Sequence, residues 1–144
     1  MDRAEIDAII RKALVCRLGL YDGSRPYVVP LSFGYDGRSF YFHGSAKGTK
    51  VGILSRHPVV CFELDCDVAL APAAELCRCG LKFRSVVGFG RAAFITDPGE
   101  KRRALSAIMS QYTEGEYEFP DRAVDGVTVF RVDIESITGR QKGY

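Results

Sequence analysis

Two Asp-Gly dipeptides, Asp22-Gly23 and Asp36-Gly37, punctuate runs of β-branched and aromatic residues, and they constrain the fold of this chain more than any other feature. Gly enters φ > 0 without steric cost and Asp bonds its own backbone, so the pair marks tight turns between antiparallel strands. The flanking runs, Val15 to Tyr21, Tyr27 to Tyr35 and Ser39 to His43, therefore read as a meander. Three more strands are expected at Val59 to Asp65, Lys82 to Thr96 and Val127 to Ile137, the last alternating at Val127, Val129, Arg131 and Asp133.

Helical periodicity occurs three times. Ile6, Ile9, Ile10, Ala13 and Leu14 share one face of residues 3 to 14, opened by an Asp2/Glu5 capping box. A short helix begins near Lys47 or Gly48 and must end near His57, because the residue before Pro58 resists the helical region. Asp97-Pro98 starts the third, with Ala104, Leu105, Ile108, Met109 and Tyr112 as its buried face. Residues 67 to 80 and 113 to 126 show no period and read as loops. The order α-β-β-β-α-β-β-α-β predicts a mainly β protein with short helices, a six-stranded antiparallel split β-barrel, since closing the sheet removes exposed edges. A doubly wound parallel sheet would need a helix after nearly every strand. At 144 residues the chain is long enough for one such domain, 1–144, and too short for two.

Composition excludes several classes of function. A net charge of +2, evenly spread, argues against binding nucleic acid through its phosphates. The apolar runs fall short of the ~20 residues that cross a bilayer. Met1-Asp2-Arg3-Ala4-Glu5 lacks the basic and apolar regions of a secretory signal, so a cytoplasmic protein is expected. The odd set Cys16, Cys61, Cys66, Cys77 and Cys79 contains no CxxC pair and fits reduced thiols better than a metal site. Cys66, Cys77 and Cys79 are the one trio worth a zinc assay.

Gly88-Phe89-Gly90-Arg91-Ala92-Ala93 matches the GxGxxA form of the dinucleotide fingerprint. That fingerprint must open a helix, whereas Phe94-Ile95-Thr96 continues a strand, so the glycines are expected to serve a bend or a close backbone approach. A stronger candidate is Gly44-Ser45-Ala46-Lys47-Gly48-Thr49-Lys50, between a strand ending at His43 and a helix. Free helix-end amides, a hydroxyl and two ammonium groups converge there, which is the chemistry of a phosphate cradle. It lacks the Walker spacing, and the same residues would also serve as an ordinary polar turn.

Taken together, "CRLGLYDGSRPYVVPLSFGYDGRSFYFHGSAKGTKVGIL" (16 to 54), "FRSVVGFGRAAFITDPGEKRRAL" (83 to 105) and "FRVDIESITGRQK" (130 to 142) resemble the FMN-binding split-barrel family related to pyridoxamine 5'-phosphate oxidase, most closely its nitroimidazole-resistance branch. The resemblance implies a homodimer with FMN at the subunit interface. It implies that Lys50, with Lys47, Gly48 and Thr49, takes the phosphate, and that His43 and Gly44 run along the flavin. Val29, Pro30, Leu31 and Ser32 would line the isoalloxazine, and Ser85, Val86 and Gly88 would come from either side of the cleft. The expected activity is transfer of electrons from a reduced nicotinamide to a small nitro-aromatic or quinone-like acceptor. Oxidation of pyridoxamine phosphate is not expected, because Thr138 to Tyr144 do not match the substrate-phosphate residues of those oxidases. His43 is either a catalytic proton donor or a hydrogen-bonding partner of the loop. Haem handling, deazaflavin binding and flavin binding without turnover are the competing readings.

Overall fold

The computed structural model, which describes residues 1–144, turns the chain where the Asp-Gly pairs stand. Asp22 accepts from the amides of Ser24 and Arg25, and Asp36 from those of Arg38 and Ser39, all at 2.8 Å. Gly23 and Gly37 take φ of 94° and 95°. The elements are α1 (Arg3–Lys12), β1 (Cys16–Tyr21), β2 (Pro26–Leu31), β3 (Gly34–Tyr35), β4 (Ser39–Gly44), α2 (Thr49–Arg56), β5 (Val59–Ala71), β6 (Gly80–Ile95), α3 (Pro98–Tyr112), α4 (Asp121–Asp125) and β7 (Thr128–Lys142).

All seven strands pair antiparallel in one sheet, in the order β2-β1-β5-β6-β7-β4-β3. The expected six become seven because the 27–35 run breaks at Ser32-Phe33. Its first piece pairs with β1 and its second with β4, so two consecutive strands occupy the two ends of the sheet. The barrel is thus joined at its seam by continuous chain and left open there as a hydrogen-bonded ladder. Phe33 buries its ring at the seam, and its amide donates to the Tyr112 hydroxyl at 3.1 Å. That hydroxyl donates to the Leu14 carbonyl at 2.8 Å, which ties the seam to α3 and to the end of α1.

Other expectations need correction. Residues 67 to 80 are loop only from 72 to 79, because β5 runs on to Ala71 and β6 begins at Gly80, the two continuing as a ribbon through Ala69↔Lys82, Leu70↔Leu81 and Ala71↔Gly80 with a 3-10 turn at Leu76–Arg78 in the connection. A bulge between Cys66 and Ala69, with Asp67 at φ 56°, shifts the alternation and hides the strand from a period-two reading. The acidic 113–126 stretch contains α4, whose Val124 is buried against Ile95, Ala104, Leu105, Ile108 and Val129. β7 extends beyond Ile137 to Lys142, and Leu14 points to solvent.

The main core sits inside the barrel and is built on phenylalanines. Phe40 meets Phe62 edge-on at 4.9 Å between ring centroids, and Phe42 stacks on Phe130 at 5.2 Å. Ile6, Ile9 and Ile10 of α1 close the barrel, and its capping box forms as expected. Gln111 of α3 donates to the Ile10 and Ala13 carbonyls at 3.0 and 3.1 Å, satisfying groups that the end of α1 leaves unpaired.

Two tyrosines make the fold sensitive to alkali. Burial, then donation to Asp7, pushes Tyr35 up to about 12, and burial, then donation to Asp36, does the same for Tyr41. The folded state therefore holds phenolic protons that the unfolded chain releases near 10.0, so this stability is complete below pH 10 and is lost as pH rises towards 12. Urea melts across that window are expected to weaken with pH, and Tyr35→Phe/Tyr41→Phe is expected to flatten the decline. An undiminished slope in the double variant would contradict the assignment.

Candidate functional site

The β4–α2 turn is assembled from its own backbone. β4 leaves the sheet after Gly44, the Gly48 amide donates to the Ser45 carbonyl at 3.0 Å, and the Lys47 amide donates to the Ser45 hydroxyl at 3.3 Å. Gly48 is the N-cap of α2 and offers no side chain to its first turn. The amides of Thr49, Lys50 and Val51 therefore point out of the helix with no protein acceptor.

Lys50 folds back across this opening. A Cβ placed on Gly44 would stand 2.8 Å from the Lys50 Nζ and 2.9 Å from its Cε, so the ammonium lies over bare backbone at the end of β4. Three free amides, a helix N-terminus and a lysine held over a glycine form a site for a dianion, and the donor set suits a phosphate monoester. Lys47 and Thr49 are exposed at its rim.

Strand parity sorts the remaining residues. On β4, Phe40 and Phe42 face the core while His43 is exposed beside the cradle, with no side-chain hydrogen bond to the loop. On β2 and just past it, Val29 and Leu31 turn inward and pack on the core, so only Pro30 and Ser32 present side chains outward. Extending the Gly34↔Tyr41 register places Ser32 level with His43. His43, Gly44 and Lys47 to Lys50 thus stand together at the end of β4, with Ser32 towards them across the seam, while Pro30 pairs with Arg17 on β1.

Ser85, Val86 and Gly88 lie elsewhere. His43 is level with Val129 and hence with Ile95, seven residues along β6 from Gly88, or about 23 Å at strand rise. Val86 is fully buried, and the space a side chain would need at Gly88 is filled by Phe62 and the Ser136 carbonyl. Of the three, only Ser85 shows a partly exposed side chain on the outer face, paired with Arg140. The glycines of the GxGxxA match lie inside a continuous strand and serve close packing.

The outer face of the sheet carries a feature that the sequence reading missed. Val28, Val59, Val87 and Phe89 are exposed there, around Arg17, which bonds Glu63 at 3.0 Å and Asp65 at 2.9 Å. Its signal was present in the doublets Val28-Val29, Val59-Val60 and Val86-Val87, since adjacent apolar residues in a strand give each face one. Cys66 sits at the β5 bulge, Cys77 and Cys79 are exposed at the tip of the ribbon, and no three His, Cys, Asp or Glu side chains are grouped for a metal. His57 ends α2, its ring edge-on to Tyr21 at 6.1 Å. No helix is long and apolar enough to cross a membrane.

A family model described as pyridoxamine 5'-phosphate oxidase matches residues 2–141. Among solved structures, a candidate 5-nitroimidazole antibiotic resistance protein from Bacteroides thetaiotaomicron is 34% identical. It superposes with a TM-score of 0.86 over 96% of this chain and 82% of that one. An FAD-binding protein from Mesorhizobium loti is 25% identical, with a TM-score of 0.72 over 99% and 96% of the two chains. An FAD and haem binding protein from Mycobacterium smegmatis shares the fold at 16% identity, with a TM-score of 0.88 over 99% and 72%. No curated protein sequence matches the chain.

Proposed function

Because the chain belongs to the pyridoxamine 5'-phosphate oxidase family, whose split-barrel fold it has, we propose that it is an FMN-dependent oxidoreductase acting as a homodimer in the cytoplasm. The observation that carries this reading is the cradle, where Lys50 lies over Gly44 beside the free amides of Thr49, Lys50 and Val51. Its charge and donors match a flavin mononucleotide phosphate, and no haem propionate needs such a helix end. The similarity to a nitroimidazole-resistance protein and to an FAD-binding protein supports a flavin and a small nitro-aromatic or quinone-like acceptor.

Bound FMN would supply the hydride chemistry between a reduced nicotinamide and that acceptor. The chain's own residues bind, orient and protonate. Lys50 and the three amides fix the phosphate, Pro30 and Ser32 border the ring from the seam, and the exposed His43 imidazole is the candidate proton donor. Ser85, whose side chain faces outward some 23 Å or more along β6 from the level of His43, would border the ring from a second subunit, while Val86 and Gly88 hold the strand behind it.

Protein purified without added cofactor is expected to be yellow, with two visible bands, and to release FMN on heating. Anaerobic mixing with reduced nicotinamide is expected to bleach it. A sharp Soret band in place of the flavin bands would overturn the cofactor, and an unbleached flavin would overturn the donor.

A further inference from the structure

The five thiols divide into two kinds. Cys16 on β1 is fully buried, Cys61 and Cys66 on β5 are half-buried, and burial pushes all three up, away from the thiolate form that reacts. Cys77 and Cys79 are exposed, two residues apart, in the connection of the β5–β6 ribbon. No third ligand joins them as a metal site would need, so the trio expected with Cys66 reduces to a pair.

The connection holds these two thiols together. Beyond the Ala71↔Gly80 pair the chain turns through Leu76–Arg78, where the Arg78 amide donates to the Glu75 carbonyl at 2.9 Å and the Cys79 amide to the Leu76 carbonyl at 3.1 Å. Two residue steps span at most about 7 Å when fully extended. Arg78, the residue between the cysteines, lies in the 3-10 turn, which shortens that span into the roughly 4.4–6.8 Å between Cα atoms that a disulfide requires. Both sulfurs also face one residue: the Cys77 thiol lies 4.0 Å from the Glu75 carboxylate, and the Cys79 thiol 4.0 Å from the Glu75 carbonyl. Leu76 is 89% exposed and the Arg78 side chain 76%, so the fold of this chain leaves the pair open to solvent.

We propose that Cys77 and Cys79 form a dithiol site that exchanges with small disulfides, an activity separate from the flavin cradle. The segregation of the thiols carries the inference: three stand where burial hinders reaction, and the two that are free to react stand within reach of each other, as an attacking and a resolving cysteine do. One thiolate attacks a sulfur of the disulfide RSSR, which forms a mixed disulfide and releases the first RSH. The second thiolate then attacks the protein-bound sulfur, closing the Cys77–Cys79 bond and releasing the second RSH. Two protein thiols are oxidised, one disulfide is reduced to two thiols, and the two cysteine protons leave on them. The closing step is intramolecular and therefore outruns capture by a second RSSR. Cross-linking residues so close in sequence constrains the unfolded chain little, and an exposed disulfide reopens readily, so the site cycles rather than locks.

The test begins with the full chain, flavin included, purified in the reduced state. Titration with a chromogenic disulfide is expected to find two fast thiols in the native protein and all five after denaturation. Oxidised glutathione is expected to lower the mass by two hydrogens with no adduct retained, peptide mapping is expected to place the new bond between Cys77 and Cys79, and reduced glutathione is expected to reverse it. Cys77→Ser and Cys79→Ser, both at exposed positions, are each expected to keep glutathione on the remaining cysteine as a mixed disulfide. Glutathione retained by the parent, a bond between two copies, a bond to Cys61 or Cys66, or an unchanged mass would overturn the proposal.

Discussion

Gly88→Val is expected to cost about 4 kcal/mol of folding stability, enough to leave much of the chain unfolded if its total lies at the low end of the usual range of roughly 5–15 kcal/mol. A Cβ at this position would overlap the Phe62 ring on one side and the Ser136 carbonyl on the other. Neither can yield cheaply. Phe62 is fully buried and holds Phe40 at 4.9 Å, so moving it disturbs the centre of the aromatic core. Ser136 belongs to β7, beside the bulge opposite Phe89 and Gly90, and shifting its carbonyl breaks register with β6. Overpacking usually costs 1–3 kcal/mol when side chains can adjust, and here backbone must adjust as well. Gly52→Ala is the informative contrast. Nothing lies within 4 Å of a Cβ there, on α2, so about 0.5–1 kcal/mol of stabilisation is expected from helix propensity. Urea unfolding of both variants measures the difference, and a Gly88→Val protein as stable as the parent would contradict the close approach of β5, β6 and β7.

That glycine also shows what was legible in the sequence and what was not. Phe94-Ile95-Thr96 after Gly90 ruled out a helix, and so ruled out a dinucleotide turn, because local chemistry sufficed. The Asp-Gly turns and the Asp2/Glu5 cap were readable for the same reason: each depends on neighbours within a few residues. The ribbon at 68 to 82 was not readable, because a single left-handed residue, Asp67, moves the alternation out of phase. The break at Ser32-Phe33 was hidden too, since it is set by Tyr112, about eighty residues away, which takes the Phe33 amide. For the site, sequence position pointed to the β4–α2 turn, and folding brought Lys50 over Gly44 there. It could not tell that Val29, Leu31 and Val86 turn inward, nor that Ser85 to Gly88 lie far from His43 on the same subunit. Side-chain direction in a strand follows register, and register depends on the partner strand.

Lys50→Ala is expected to weaken FMN binding roughly 10- to 100-fold, the range for losing a charge-assisted hydrogen bond to a phosphate. Riboflavin, which carries no phosphate, separates this effect from a general loss of the pocket. Its affinity is expected to be equal in Lys50→Ala and the parent, as read by quenching of flavin fluorescence. Lys47→Ala should matter less, because that side chain is exposed at the rim and its amide is already held by Ser45. Gly44→Ala approaches the same contact from the other side. Its Cβ would stand 2.8 Å from the Lys50 ammonium, and only the flexible end of the lysine need move. Folding should therefore be nearly unaffected while FMN affinity falls in the direction of Lys50→Ala. The two changes act through one contact, so combining them should cost little more than Lys50→Ala alone. Full additivity would place Gly44 and Lys50 in separate roles, and an equal loss for riboflavin and FMN would move Lys50 from the phosphate to the ring.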